Sequence, residues 1–341
     1  MGQHEDWTSE FLGMSGKGTT TPESVVFAWI AEIEDLAVDR ANGTIPTGPL
    51  GDPIGKVYVT PDGRDLRQLL EKFLRGAVAY SQGIDDYLDD DTEGKGILSP
   101  NTRDGSSPYT VLEHQWDEGF GYFGAARDYL DYTDDEVAGS GGREAYRQGF
   151  HDTNGDGVID LNSEFNFGHA TNAAKRDRAS VVPTNFSAQA MNGFLRGRAI
   201  IAAAGESLTA PELADLREAR DEAAAGWENA IAATVVHYAN AVLRDMSAFG
   251  TPGYDFLAHA KHWSELKGFI LSLQFSRFSK LDDSQLEQVN DLVGAGPVLP
   301  NADVAAIQAY RSGLDSLKDI LQTAYGFDAA NMGNEQGAEG W

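Results

Sequence analysis

Residues 209–248 read TAPELADLREARDEAAAGWENAIAATVVHYANAVLRDMSA, and their reading decides the fold class. Thr209 and Glu212 form a capping box around Pro211, a residue tolerated only in a first helical turn. Downstream, Trp227, Ile231, Val235, Tyr238, Val242 and Met246 recur every three to four residues, so one face of a helix is apolar. Unbroken, such a helix spans about 60 Å at about 1.5 Å per residue.

The same period recurs on both sides. Thr21-Pro22-Glu23 opens a helix carrying Val26, Trp29, Ile30, Ile33 and Leu36, and Asp65 opens another carrying Leu66, Leu69, Leu70, Phe73, Ala77, Tyr80, Ile84 and Tyr87. Further helices are predicted over about 109–132, 185–204, 254–275, 283–293 and 302–325. Only Lys56-Val57-Tyr58-Val59-Thr60 alternates like a strand. The expectation is an all-α, mainly helical chain.

Composition narrows the function. The 341 residues carry 53 acidic against 26 basic side chains, a formal charge of −27, and no cysteine. A field of that sign repels phosphate, which argues against nucleic acid as a partner and favours cations. Without cysteine there are no disulfides, thiolate metal sites or Cys nucleophiles. No apolar run is long enough for a transmembrane segment. The polar start MGQHEDWTSEF lacks the apolar stretch of a signal peptide.

A second stretch carries named chemistry. In HDTNGDGVIDLNSE, residues 151–164, Asp152, Asn154, Asp156 and Asp160 fall at positions 1, 3, 5 and 9 of a calcium loop, with Gly157 at the turn and the Val158 carbonyl at position 7. Position 12, where a bidentate Glu is expected, is Ser163; Glu164 follows one place later. The loop is expected to bind Ca²⁺, with Glu164 or water closing the shell, and high free Ca²⁺ outside the cytoplasm suits it.

Two helices share a motif, Trp-x-Glu-x-x-Gly-aromatic, at Trp116-Asp117-Glu118-Gly119-Phe120-Gly121-Tyr122 and at Trp263-Ser264-Glu265-Leu266-Lys267-Gly268-Phe269. This predicts two pseudo-repeated antiparallel helix bundles, residues 21–137 and 184–330, joined by a Gly-rich insertion at 138–183 that holds the calcium loop. Residues 1–20, with His4, and 331–341 are read as flexible ends. Histidines cluster on the repeated helices. His114 precedes Asp117 and Glu118 by three and four residues; His262 precedes Glu265 by three, and His259 lies a turn earlier. Such spacing puts an imidazole and a carboxylate on one face, able to hold iron or zinc, or to fix the packing by hydrogen bonding instead.

Several blocks together resemble the DUF4856 family, which is related to the imelysin-like proteins. They are His114 to Gly124, Gly142-Arg143-Glu144-Ala145-Tyr146, the loop Gly149 to Glu164, Asn172 to Asp177, and His259-Ala260-Lys261-His262-Trp263-Ser264-Glu265, with similarity running from about Val57 to Ala330. The resemblance implies an exported or lipid-anchored helical protein, periplasmic or on the cell surface, associated with iron uptake and hence with a metal ion, a metal chelate or an outer-membrane receptor. Imelysin-like proteins carry Gly-x-His-x-x-Glu. Here His262-Trp263-Ser264-Glu265 keeps the His and Glu but has Ala260 in place of the Gly, and His114-Gln115-Trp116-Asp117 has Leu112 and Asp117 in place of the Gly and Glu. The leading expectation is a non-catalytic metal-acquisition protein with a structural Ca²⁺. The alternatives are a metal-dependent hydrolase, with His262 and Glu265 as ligands and Glu118 as base, and a surface interaction module.

Overall fold

The computed structural model describes residues 6–341, which leaves His4 outside the described residues. Among the described residues eleven α-helices follow one another: α1 (Trp7–Glu10), α2 (Pro22–Ala41), α3 (Leu66–Leu74), α4 (Val111–Phe123), α5 (Asp134–Val137), α6 (Gly168–Ala179), α7 (Phe186–Ala203), α8 (Ala210–Ser247), α9 (Phe256–Ser272), α10 (Asp283–Val293) and α11 (Val304–Tyr325). Among the described residues the sole sheet is a hairpin of β1 (Leu12–Gly13) and β2 (Gly16–Lys17). The chain is therefore mainly α-helical, and among the described residues no helix is long and apolar enough to cross a membrane.

The helix starts follow their capping residues. Thr21, Thr110 and Asp282 each complete a capping box, while Asp65, Asp255 and Asp303 accept a first-turn N–H. The helix expected over 109–132 stops earlier, at Phe123, because Gly124 adopts φ 85° and ends the turn. The helix expected over 65–87 keeps its direction in sequence but changes its hydrogen bonding. After α3 it becomes π-helical at Arg75–Tyr80 and again at Gly83–Tyr87. Each stretch contains a crowded glycine: a Cβ on Gly76 would lie 2.4 Å from Ser272 Cβ, and one on Gly83 would lie 2.8 Å from the Trp227 ring. Lys56 to Thr60 is not a strand; Val59 makes a single bridge to Asp65.

The helices form two compact units, and these are interleaved in sequence rather than successive bundles at 21–137 and 184–330. One unit comprises Ala77–Ile231 with Phe275–Phe278; the other comprises residues 6–76, Ala232–Gln274 and Ser279–Trp341. The physical reason lies in α3, which packs with α9 and carries α2 with it. Phe73 of α3 meets Trp29 of α2 edge-on at 5.6 Å, Asp65 N–H donates to Ser264 Oγ at 2.7 Å, and Ser272 Oγ donates to the Lys72 carbonyl at 2.9 Å.

In the first unit the core is aromatic. Trp227 of α8 lies 5.2 Å from Phe123 and 5.3 Å from Tyr80, and Trp116 Nε1 donates to the Phe194 carbonyl at 2.9 Å. Helices α7 and α8 approach closely, since a Cβ on Gly193 would stand 2.4 Å from the Ala223 nitrogen. The segment expected as an insertion at 138–183 is shorter than that, because α6 occupies its last third with Ala170, Ala173 and Ala174 buried.

The second unit also holds residues 6–20 and 331–341, which belong to the ends read as flexible. Phe11 is fully buried, and Gln274 accepts from Leu12 N–H at 2.8 Å while donating to its carbonyl at 3.1 Å. Trp341 is 2% exposed, and the buried Asn240 donates to the carbonyls of Met332 and Trp341 at 3.1 and 3.2 Å. An indole buried at the chain's last position anchors residues 331–341 against α8 and α11.

Candidate functional site

A cleft of the first unit lies where α4, α7 and the 151–164 loop meet. Its volume is about 660 Å³, within the range that accepts a small organic ligand. Trp116 and Phe120 from α4, with Met191 and Phe194 from α7, supply apolar lining, and Leu161 and Asn162 come from the loop. The stripe that buries Trp116 in the core turns Asp117, Glu118 and Gly121 toward the opening.

Charge in the cleft is largely internal. Arg198 of α7 donates to Asp117 Oδ1 at 3.0 Å and to Glu113 Oε1 at 2.8 Å. Burial pushes the Asp117 carboxyl up, against the pull of Arg198. His114 Nδ1 stands 4.0 Å from Glu118 Oε1, beyond hydrogen-bond reach, and its ring stacks on Tyr109 at 5.2 Å. Of the residues expected as a metal set on α4, Asp117 is thus held by a guanidinium, while Glu118 faces the cleft.

The loop is fastened to the cleft by its backbone. Arg127 N–H donates to the Ser163 carbonyl at 2.9 Å, Phe167 N–H to the Gly124 carbonyl at 2.9 Å, and Ala126 N–H to Asn166 Oδ1 at 2.7 Å. At its base, Phe150 bridges Phe165 and the two rings stack 5.7 Å apart. Gly124 and Arg127, which these bonds hold, also line the cleft.

Inside the loop, Asp152 organises the backbone. Its Oδ1 accepts from Gly155 and Asp156 N–H at 2.7 and 3.2 Å, and its Oδ2 accepts from Gly157 N–H at 2.8 Å. Asn154 Oδ1 accepts from Asp156 N–H, and Asp156 Oδ1 from Val158 N–H. Glu164 is 2% exposed and acts as a clasp. Its Oε1 accepts from Thr153 Oγ1 at 2.6 Å and from the N–H groups of Thr153 and Asn154; its Oε2 accepts from Asp160 N–H at 3.0 Å. The Thr153 hydroxyl, with those N–H groups, holds the Glu164 carboxyl down at about 2. Oε1 is saturated by these donors, so only Oε2 has a lone pair left for an ion. Ser163, at the expected ligand position, instead donates to Asp160 Oδ2 at 2.6 Å.

The donor set of Asp152, Asn154, Asp156, Asp160 and the Val158 carbonyl is all oxygen, the chemistry that suits Ca²⁺ and not a soft metal. Among the described residues, no three or more His, Asp or Glu side chains stand close enough as placed to hold an ion.

On α9, in the second unit, the His and carboxylate residues part company. His262 Nδ1 lies 2.7 Å from Asp245 Oδ2 of α8. Glu265 is buried between lysines instead, with Lys72 Nζ and Lys261 Nζ each 3.6 Å from one of its oxygens. His259 is fully buried, with Nδ1 3.1 Å from the Tyr254 hydroxyl, and burial pulls its imidazole down to about 4. The two expected sets lie in different units, His114 in the first and His262 in the second.

Sequence reasoning missed Arg198, Arg127 and the α7 wall. Arg198 follows Arg196 in an otherwise Ala- and Gly-rich helix, and a charged pair on an apolar helix was the available signal.

No curated protein and no solved structure matches the chain. The family comparison does return a match, which starts in α2 and ends at Thr153 inside the loop. Residues 24–153 match the model described as Domain of unknown function (DUF4856), and in this segment the chain is similar to that family.

Proposed function

We propose that this protein is a non-catalytic, exported binding protein whose ligand sits in the α4–α7 cleft, and that Ca²⁺ held by the 152–164 loop stiffens the cleft's edge. The observation that carries the reading is the joint lining: Leu161 and Asn162 of the loop share one 660 Å³ cleft with Trp116, Phe120 and Phe194. Aromatic walls with a few charges suit recognition of an organic ligand.

The likeness to imelysin-like proteins suggests metal acquisition in the periplasm or at the cell surface. Within that reading, a metal chelate suits the cleft better than a bare ion, because Asp117 already pairs with Arg198. Calorimetric titration of the Ca²⁺-loaded protein with haem and with ferric hydroxamate and catecholate chelates tests it. One of these is expected to bind at micromolar concentration and to lose binding in Gly121→Leu, which fills the cleft. Absence of binding, or binding indifferent to that change, contradicts the reading.

The hydrolase alternative is favoured by one observation: an imidazole oriented by a carboxylate, His262 on Asp245 at 2.7 Å, is the arrangement of a metal ligand or a base. Cleavage of a peptide library with Zn²⁺ supplied, lost in His262→Ala, would support it, and no cleavage would remove it.

A further inference from the structure

The chain contains three Asn-Gly pairs, at 42–43, 154–155 and 192–193, and this sequence can cyclise when the glycine nitrogen attacks the asparagine side-chain carbonyl. We infer that Asn154 is a self-modification site, where the loop's own hydrogen bonds promote deamidation to aspartate or isoaspartate.

Three groups converge there. The nucleophile is the Gly155 nitrogen, whose N–H already donates to Asp152 Oδ1 at 2.7 Å, so the proton has a carboxylate waiting for it. The electrophile is Asn154 Cγ. Its Oδ1 accepts the Asp156 N–H at 2.9 Å, a donor that draws electron density from the carbonyl and stabilises the oxyanion formed on attack. Both residues are exposed, and a Cβ placed on Gly155 would meet nothing within 4 Å, so no neighbour blocks ring closure, water entry or escape of ammonia.

The step balances. Gly155 N forms a bond to Asn154 Cγ and passes its proton to Asp152. The Cγ–Nδ2 bond then breaks, and the nitrogen leaves as ammonia with that proton. Water opens the resulting succinimide at one carbonyl or the other, giving aspartate or isoaspartate.

The other two pairs lack this arrangement. Gly43 N–H donates to the Arg40 carbonyl at 3.0 Å, a neutral acceptor that is a poor base. Asn192 and Gly193 lie within α7, where Gly193 is packed against the backbone of α8. The consequence falls on the loop. Aspartate at 154 adds a carboxylate beside Asp152, Asp156 and Asp160 and strengthens cation binding, whereas isoaspartate lengthens the backbone and breaks the ligand spacing.

Peptide mapping by mass spectrometry, after incubating the native chain with chelator at mildly alkaline pH, tests the site. Asn154 is expected to convert fastest, Asn42 more slowly and Asn192 not detectably. Asp152→Asn should slow conversion at 154 by about tenfold or more while leaving Asn42 unchanged. Gly155→Ala, whose methyl flanks the attacking nitrogen at a φ of 72° that alanine adopts only with strain, should slow it as well. Conversion at 154 no faster than at 42 would overturn the inference, and an unchanged rate in Asp152→Asn would overturn the part played by the carboxylate.

Discussion

Helices α4 and α9 carry the same motif, and the fold uses it in opposite ways. Both tryptophans are buried and donate through Nε1, Trp116 to the Phe194 carbonyl and Trp263 to the Tyr310 hydroxyl at 3.0 Å. From there the helices diverge. Glu118 and Gly121 of α4 line an open cleft, and a Cβ on Gly121 would meet nothing within 4 Å. Glu265 of α9 is buried against lysines, and a Cβ on Gly268 would stand 2.6 Å from Lys72 Cβ. One helix is exposed on its motif face where the other is sealed by α3. A repeated motif therefore anchors two helices without repeating a site.

The contrast is broken most severely at the glutamates. Glu265→Ala is expected to cost about 3 kcal/mol in urea unfolding, because it removes the inner of the two carboxylates beside the largely buried Lys72 and leaves only the partly exposed Glu71, at 2.7 Å. Glu118→Ala, on the exposed partner, should change stability by less than about 0.5 kcal/mol. Equal losses would show that both helices are sealed.

The glycines give a smaller difference of opposite sign. Gly268→Leu should destabilise by about 1 to 3 kcal/mol through overpacking against α3. Gly121→Leu should stabilise by up to about 1 kcal/mol, since leucine favours the helix and space is open, while the cleft loses its ligand. Thermal melts of the two variants check the signs.

The pH dependence sharpens the comparison further. His259 on α9 is buried neutral and held down at about 4, against an ordinary value of about 6.5 for an unfolded histidine. Between those values the unfolded chain binds the proton and the folded one does not, so stability falls as pH drops from 6.5 toward 4. His259→Phe should flatten that part of the profile.

Much of the helical frame was legible because local signals coincide. Helix α10 spans the residues its pattern predicts, and Thr21, Asp65 and Thr209 mark real starts. Three things were not legible, each for a physical reason. The π-helical turns depend on crowding at Gly76 and Gly83 by Ser272 and Trp227, residues far away in sequence. The packed tail depends on Asn240 reaching Met332 and Trp341, which no periodicity encodes. The cleft depends on α7, whose apolar residues read as bundle core; spacing alone does not say that Leu195 stays 48% exposed. Spacing likewise singled out the carboxylates of the 152–164 loop but not the use of Glu164 as a clasp, because that depends on which N–H groups point inward.

The central claim is that loop and cleft edge respond to the cation as one body, while α9 does not take part. Removing Ca²⁺ should lower the melting midpoint, by the equivalent of about 2.7 kcal/mol when the ion stands at a hundred times its dissociation constant. The most direct test is hydrogen exchange with and without Ca²⁺. The account predicts slowed exchange at the amides of Thr153, Asn154 and Asp160 together with Ala126, Arg127 and Phe167, and no change along residues 256–272. Unchanged exchange in the loop, or protection confined to the loop with none at 126 and 127, would contradict it.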